Sequence, residues 1–72
     1  MATFQERLRE LRKTRKLSQT KLAAEVGISQ RVISDFENGT GLPSFNVLIA
    51  LADFFDVSLD YLVGRSDDPR RK

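Results

Sequence analysis

Apolar positions recur along this chain at helical spacing, in groups separated by polar or turn-forming residues. Phe4, Leu8 and Leu11 stand at i, i+4 and i+7, which predicts one buried face on a first helix. Thr3 and Glu6 form a T-x-x-E capping box at its start, each side chain serving the other's main-chain N–H. The pattern fades near Lys16. A second group, Leu22, Ala23 and Val26, follows Ser18 and stops at Gly27. A third, Val32, Ile33 and Phe36, follows Ser29 and stops at Asn38-Gly39, giving a helix from about Gln30 to Glu37. After Pro43, Ser44 opens a segment from about Phe45 to Phe55 that is apolar nearly all round. Leu48, Leu51, Ala52 and Phe55 form its core stripe with Ile49 at the margin, while Val47, Ala50 and Phe54 form a second stripe. Ser58 opens a last short helix, Leu59 to Val63, which Gly64 ends. Serine and threonine head helices because the side-chain oxygen accepts from a main-chain N–H that the first turn leaves unpaired. Around Ser18, Ser29 and Ser58 the apolar pairs Leu17/Leu22, Ile28/Ile33 and Val57/Leu62 have the spacing of a hydrophobic staple. The pattern predicts an all-α fold, a compact bundle of five short helices over residues 1–64, followed by a polar, mobile tail over 65–72.

The tightest connection lies between about residues 18 and 37. Gly27 stands where a helix ends in positive φ, which glycine adopts without a Cβ clash. Ile28 and Ser29 start the next helix at once, and small Ala23 lets that helix cross close over the one before. A close crossing with a turn too short for anything but a sharp angle describes a helix-turn-helix. Leu22, Ala23, Val26, Gly27, Ile28, Ile33 and Phe36 fill every slot of the pattern of the lambda-repressor-like family, the phage Cro and repressor type of bacterial regulator. The stretches LRELRK, FENG and VSLDYLVG extend the resemblance from Phe4 to Gly64.

Composition narrows the picture. Seventy-two residues make one small domain with no cysteine and no histidine. Disulfide staples and zinc fingers are thereby excluded, so helix packing or dimerisation must supply stability. No apolar run approaches the ~20 residues of a membrane span, and Glu6, Arg7 and Arg9 stand where a signal peptide would turn apolar. A cytoplasmic protein without membrane, metal or cofactor is expected. The net charge is only +2, but it is segregated. Residues 1–31 carry a net +5, residues 32–64 carry no lysine or arginine and a net −5, and the tail carries +2. One end of the molecule can face phosphates. Arg9, Lys13 and Lys16 form a basic stripe on the first helix, either a DNA-backbone contact or a solvated face.

Sequence-specific reading of DNA needs a rod in the major groove with polar side chains at its leading end. The third helix provides one. Ser29 heads it, Gln30 and Arg31 occupy its first turn, and Ser34 and Asp35 follow on its outer side. Glutamine can bridge adenine N6 and N7, and arginine guanine O6 and N7. Asp35 fits such a face only if it accepts from cytosine or pairs with a neighbour such as Arg31. Gln19, at the first position of the second helix, is placed to meet a phosphate, and N–H groups near Asn38 to Thr40 are further phosphate candidates. The resemblance implies that Gln19 also braces Gln30, and that Arg12 and Glu37 form an internal ion pair.

The expectation is a small bacterial or phage regulator, most simply a dimeric repressor on a near-palindromic operator in double-stranded DNA. Val47, Phe54, Leu59 and Tyr61 are the candidate contacts of a homodimer. An antitoxin or protein-interaction adaptor of the same fold is the alternative, suited by the acidic second half and the extra apolar stripe. Catalysis is not expected, because the nucleophile–base pairings that histidine and cysteine supply cannot form.

Overall fold

Five hydroxyls open five helices. In the computed structural model, which describes residues 2–71, Thr3, Ser18, Ser29, Ser44 and Ser58 each accept a hydrogen bond from the main-chain N–H three residues on. The helices are α1 (Phe4–Thr14), α2 (Gln19–Val26), α3 (Gln30–Asn38), α4 (Phe45–Phe55) and α5 (Leu59–Leu62), with no strand among the described residues. Met1 and Lys72, counted above with the domain and the tail, lie outside the described residues. At Thr3 the capping box is complete, Thr3 N–H donating to Glu6 Oε1 at 3.0 Å.

All five helices also end alike. The residue in the left-handed region is Lys16, Gly27, Gly39, Asp56 and Gly64 in turn. In each case the next N–H reaches back to a carbonyl of the last turn: Leu17 to Arg12, Ile28 to Ala23, Thr40 to Asp35, Val57 to Ala52 and Arg65 to Asp60. This is the six-to-one bond of a Schellman cap. At Gly64 the position is closed to other residues for a second reason: a Cβ there would overlap the carbonyl oxygen of Ala2.

The core takes one fully buried side chain from every helix: Leu8, Leu22, Ile33, Leu51 and Leu62. Leu22, Ile33 and Leu62 are the inner members of the three staples, so the device that starts a helix also anchors it. Ala23, Phe36, Ala52, Phe55 and Val57 complete the core. α2 packs on α3 and α4, α1 on α3 and α5, and α4 on α5. The second stripe of α4 is half-buried rather than free: Val47 and Phe54 pack against the core, and Phe54 meets Phe55 edge to face. The large apolar side chains left in water are instead Leu42 at 84%, Phe45 at 70% and Leu59 at 39% exposure.

Residues 65–71 make contacts that the expectation of a mobile polar tail did not include. Ser58 N–H donates to Pro69 O and its hydroxyl to Asp68 O. Asp67 reaches Arg7 at 2.7 Å, and Arg71 faces Asp53 and Asp56. Arg71 ties the end of the segment to the acidic side chains at the end of α4, while Arg70 pairs with Asp68 within the segment itself.

Candidate nucleic-acid interface

The leading end of α3 is set by a chain of polar side chains that begins in the interior. Glu37, in the last turn of α3, has a side chain only 2% exposed. Arg12 of α1 grips it with both prongs, Nε to Oε2 at 2.6 Å and Nη2 to Oε1 at 2.9 Å. The remaining prong of Arg12 donates to Leu17 O at 2.8 Å, tying the α1–α2 connection to the same pair. Gln19 Nε2 donates to Glu37 Oε1 at 3.2 Å. Gln30 Nε2 in turn donates to Gln19 Oε1 at 2.7 Å. Arg12, Glu37, Gln19 and Gln30 thus form one continuous network from the buried ion pair to the first turn of α3. Burial by itself would raise the pKa of Glu37, but the bonds from Arg12 and Gln19 and the charges of Arg12 and Arg9 outweigh it and hold the carboxyl below its ordinary value.

Beyond Gln30 the outer face divides in two. Gln30 and Arg31 are exposed, and the Arg31 guanidinium has no hydrogen bond or ion pair among the described residues. The following side chains are occupied with one another. Asn38 Nδ2 donates to Ser34 Oγ at 3.3 Å, and Thr40 Oγ1 donates to Asp35 Oδ1 at 3.1 Å. Asp35 therefore takes Thr40 as its partner, and not Arg31. The Ser29 oxygen is engaged by Val32 N–H. The N–H groups of Gly39 and Thr40, expected as phosphate donors, point inward to Phe36 and Asp35 carbonyls, because they close the C-cap of α3.

Much of the basic charge of the first half is also spent internally. Arg9 donates to Glu37 O at 2.9 Å, at the negative end of α3. Arg15 caps α4 in the same way, donating to Phe54 O and Phe55 O at 3.0 and 3.1 Å while lying over both rings. Arg7 is buried, stacked on the Tyr61 ring at 3.9 Å and paired with Asp67. Desolvation lowers its affinity for a proton, and the bonds from Asp67 and Tyr61 more than restore it. None of these three roles is visible in sequence spacing. Among the described residues, Lys13, Lys16 and Arg31 remain exposed without such ties, and Lys21 meets only its neighbour Glu25 at 3.4 Å. Of the residues expected at a dimer contact, Leu59 is exposed, Val47 and Phe54 are half-buried, and Tyr61 is half-buried under Arg7.

This arrangement of helices matches known proteins. The helix-turn-helix family profile covers residues 8–62. The chain belongs to the lambda-repressor-like helix-turn-helix family. Within that family it is 40% identical over 67 residues to the uncharacterised helix-turn-helix transcriptional regulator YobD of Bacillus subtilis, covering 93% of this chain and 60% of that protein. It is 39% identical over 62 residues to the cryptic phage CTXphi transcriptional repressor RstR of Vibrio cholerae, covering 86% of this chain and 55% of RstR. The chain thus spans somewhat more than half the length of these two relatives. Among solved structures, the P22 c2 repressor in complex with synthetic operator 9T superposes with a TM-score of 0.85 at 33% identity, over 92% of this chain and all of that one. The lambda-repressor-like fold of this chain is accordingly all-helical, with no helix among the described residues long and apolar enough to cross a membrane.

Proposed function

We propose that this chain binds double-stranded DNA in a sequence-specific way as the reading domain of a transcriptional regulator, with α3 in the major groove. The observation that carries the reading is the first turn of α3, where Gln30 is braced by Gln19 at 2.7 Å beside an exposed, untied Arg31. A braced glutamine and an exposed arginine on the leading turn are the side chains that adenine and guanine edges accept. The RstR relative is named a repressor, and the P22 c2 neighbour is a repressor in complex with a synthetic operator; both support the repressor form of the proposal. The first turn of α2, with Gln19, offers a phosphate the N–H groups that a helix start leaves unpaired.

One copy carries one such helix, and the molecule measures 28 × 23 × 21 Å. Two half-sites one turn apart, ~34 Å, need two copies. Leu59, the exposed apolar residue of α5, is the proposed centre of the contact between them.

Selection from random duplex DNA tests the whole proposal. The expected result is an inverted repeat, and Gln30→Ala and Arg31→Ala should each cost about 1–3 kcal/mol and relax preference at one base pair per half-site. No enriched sequence would sink it. Leu59→Asp should leave the monomer folded and shift binding from cooperative to independent half-sites. Tyr61→Asp is a poorer probe of the dimer, since it also disturbs the buried Arg7.

A further inference from the structure

The network at the start of α3 has a direction. Glu37, gripped by Arg12 with both prongs, is ionised and can only accept hydrogen bonds. Its Oε1 stands 3.2 Å from the Gln19 amide. The amide must therefore present nitrogen to Glu37, because the opposite orientation would set two lone-pair oxygens face to face. That choice turns Gln19 Oε1 toward α3. Gln30, whose amide lies 2.7 Å from that oxygen, must then present its own nitrogen inward. Its carbonyl Oε1 and the second hydrogen of Nε2 are what remain to point away from the protein. Each amide orientation follows from the buried charge rather than from its surroundings in solvent.

We infer that the buried carboxylate of Glu37, through Gln19, fixes which atoms of Gln30 face the DNA and so acts as a specificity-determining residue that touches no base. The inference rests on α3 being the groove-reading helix. An outward carbonyl beside one outward N–H matches adenine, which offers N6–H and accepts at N7. Guanine offers two acceptors on the same edge and calls for a residue that turns only donors outward. A Gln30 free to rotate could meet either purine. A Gln30 locked by Glu37 meets adenine and rejects guanine. Glu37 is a positioning residue in this scheme, and its loss changes preference at one base pair rather than affinity at all of them.

The test uses the full chain and duplexes built on its selected site, with every half-site base pair varied in turn. Gln30→Ala first identifies the base pair that Gln30 reads. Glu37→Gln, whose amide can donate as well as accept, should lower the discrimination between A·T and G·C at that pair by about fivefold or more, leaving the other positions as they were. Gln19→Leu cuts the network while sparing the ion pair, and should do the same at the same pair, whatever uniform loss follows from a missing phosphate contact. Arg12→Lys keeps the carboxylate and should preserve the preference profile in spite of lower stability. Unchanged discrimination in a folded Glu37→Gln protein, or in Gln19→Leu if the former does not fold, would overturn the inference. A second reading needs no DNA. The side-chain amide shifts of Gln19 and Gln30 in the free protein should be displaced from those of an unstructured glutamine, and in Gln19→Leu those of Gln30 should return to the unstructured values. Unstructured values for Gln30 in the parent would also overturn the lock. Locked amides in a parent that selects no DNA sequence would instead overturn the groove-reading role of α3, and the specificity role with it.

Discussion

Arg12 and Glu37 decide more at the scale of single residues than any other pair. A buried ion pair contributes little over an apolar replacement, but removing one partner strands the other in a medium that solvates it badly. Arg12→Met should therefore cost about 3 kcal/mol, a large part of the stability of so small a domain. Arg12→Met combined with Glu37→Leu should recover a good part of that loss, and chemical denaturation of the two variants measures it. The same pair predicts the response to acid. The carboxyl of Glu37 lies below its ordinary value near 4.5 in the folded protein. A depressed carboxylate contributes its full stability above the unfolded value and loses it as pH falls through the folded one. Melting temperature should hold down to about pH 5 and then decline, and Arg12→Met should flatten that decline.

Each helix is bounded at the scale of the element by the same two devices, a hydroxyl at the start and a left-handed residue at the end. The starts are uniformly well chosen. Two of the ends are not, since Lys16 and Asp56 adopt φ of 58° and 55° where glycine stands in the other helices. A side chain in that region costs on the order of 1 kcal/mol, partly offset by the chain entropy that glycine forfeits. Lys16→Gly should thus stabilise the domain by about 0.5–1 kcal/mol and raise Tm by roughly 2–8 °C. Asp56→Gly should gain less, because Asp56 faces Arg71 at 3.5 Å and that contact is lost with it. Calorimetry of the two variants separates the cases.

At the scale of the whole molecule, charge segregation is weaker in effect than the composition suggests. Arg7, Arg9, Arg12 and Arg15 are committed to Asp67, to the end of α3, to Glu37 and to the end of α4. What remains exposed to meet a phosphate is the smaller set of Lys13, Lys16, Lys21 and Arg31. The fall of DNA affinity with salt should follow that smaller set. A slope in log–log form of about −4 per copy is expected, against about −7 if every cation of the first half took part. A titration from low to high salt with the selected duplex gives the number directly.

How much of this was legible in the sequence depended on distance along the chain. Ser18 caps Lys21 and Leu17 precedes Leu22 by five positions, so helix starts, staples and the helix-turn-helix were local facts that spacing alone determined. The left-handed ends at Gly27, Gly39 and Gly64 were legible for the same reason, while Lys16 gave no signal because lysine has no preference for positive φ, and Asp56 only a weak one, since aspartate tolerates that region without requiring it. The partners of the arginines were a different matter. Arg12 meets Glu37 across 25 positions, Arg15 meets Phe54 across 39, and Arg7 meets Asp67 across 60. For Arg12 the family pattern carried the information; for Arg7 and Arg15 nothing did, since a guanidinium reaches whatever carbonyl or carboxylate the packing brings near. Sequence by itself determined where the helices lie and which residues head α3. Only the tertiary structure decided which charges remain untied at the surface and which way Gln30 turns, because both are settled by contacts between helices that local pattern does not encode.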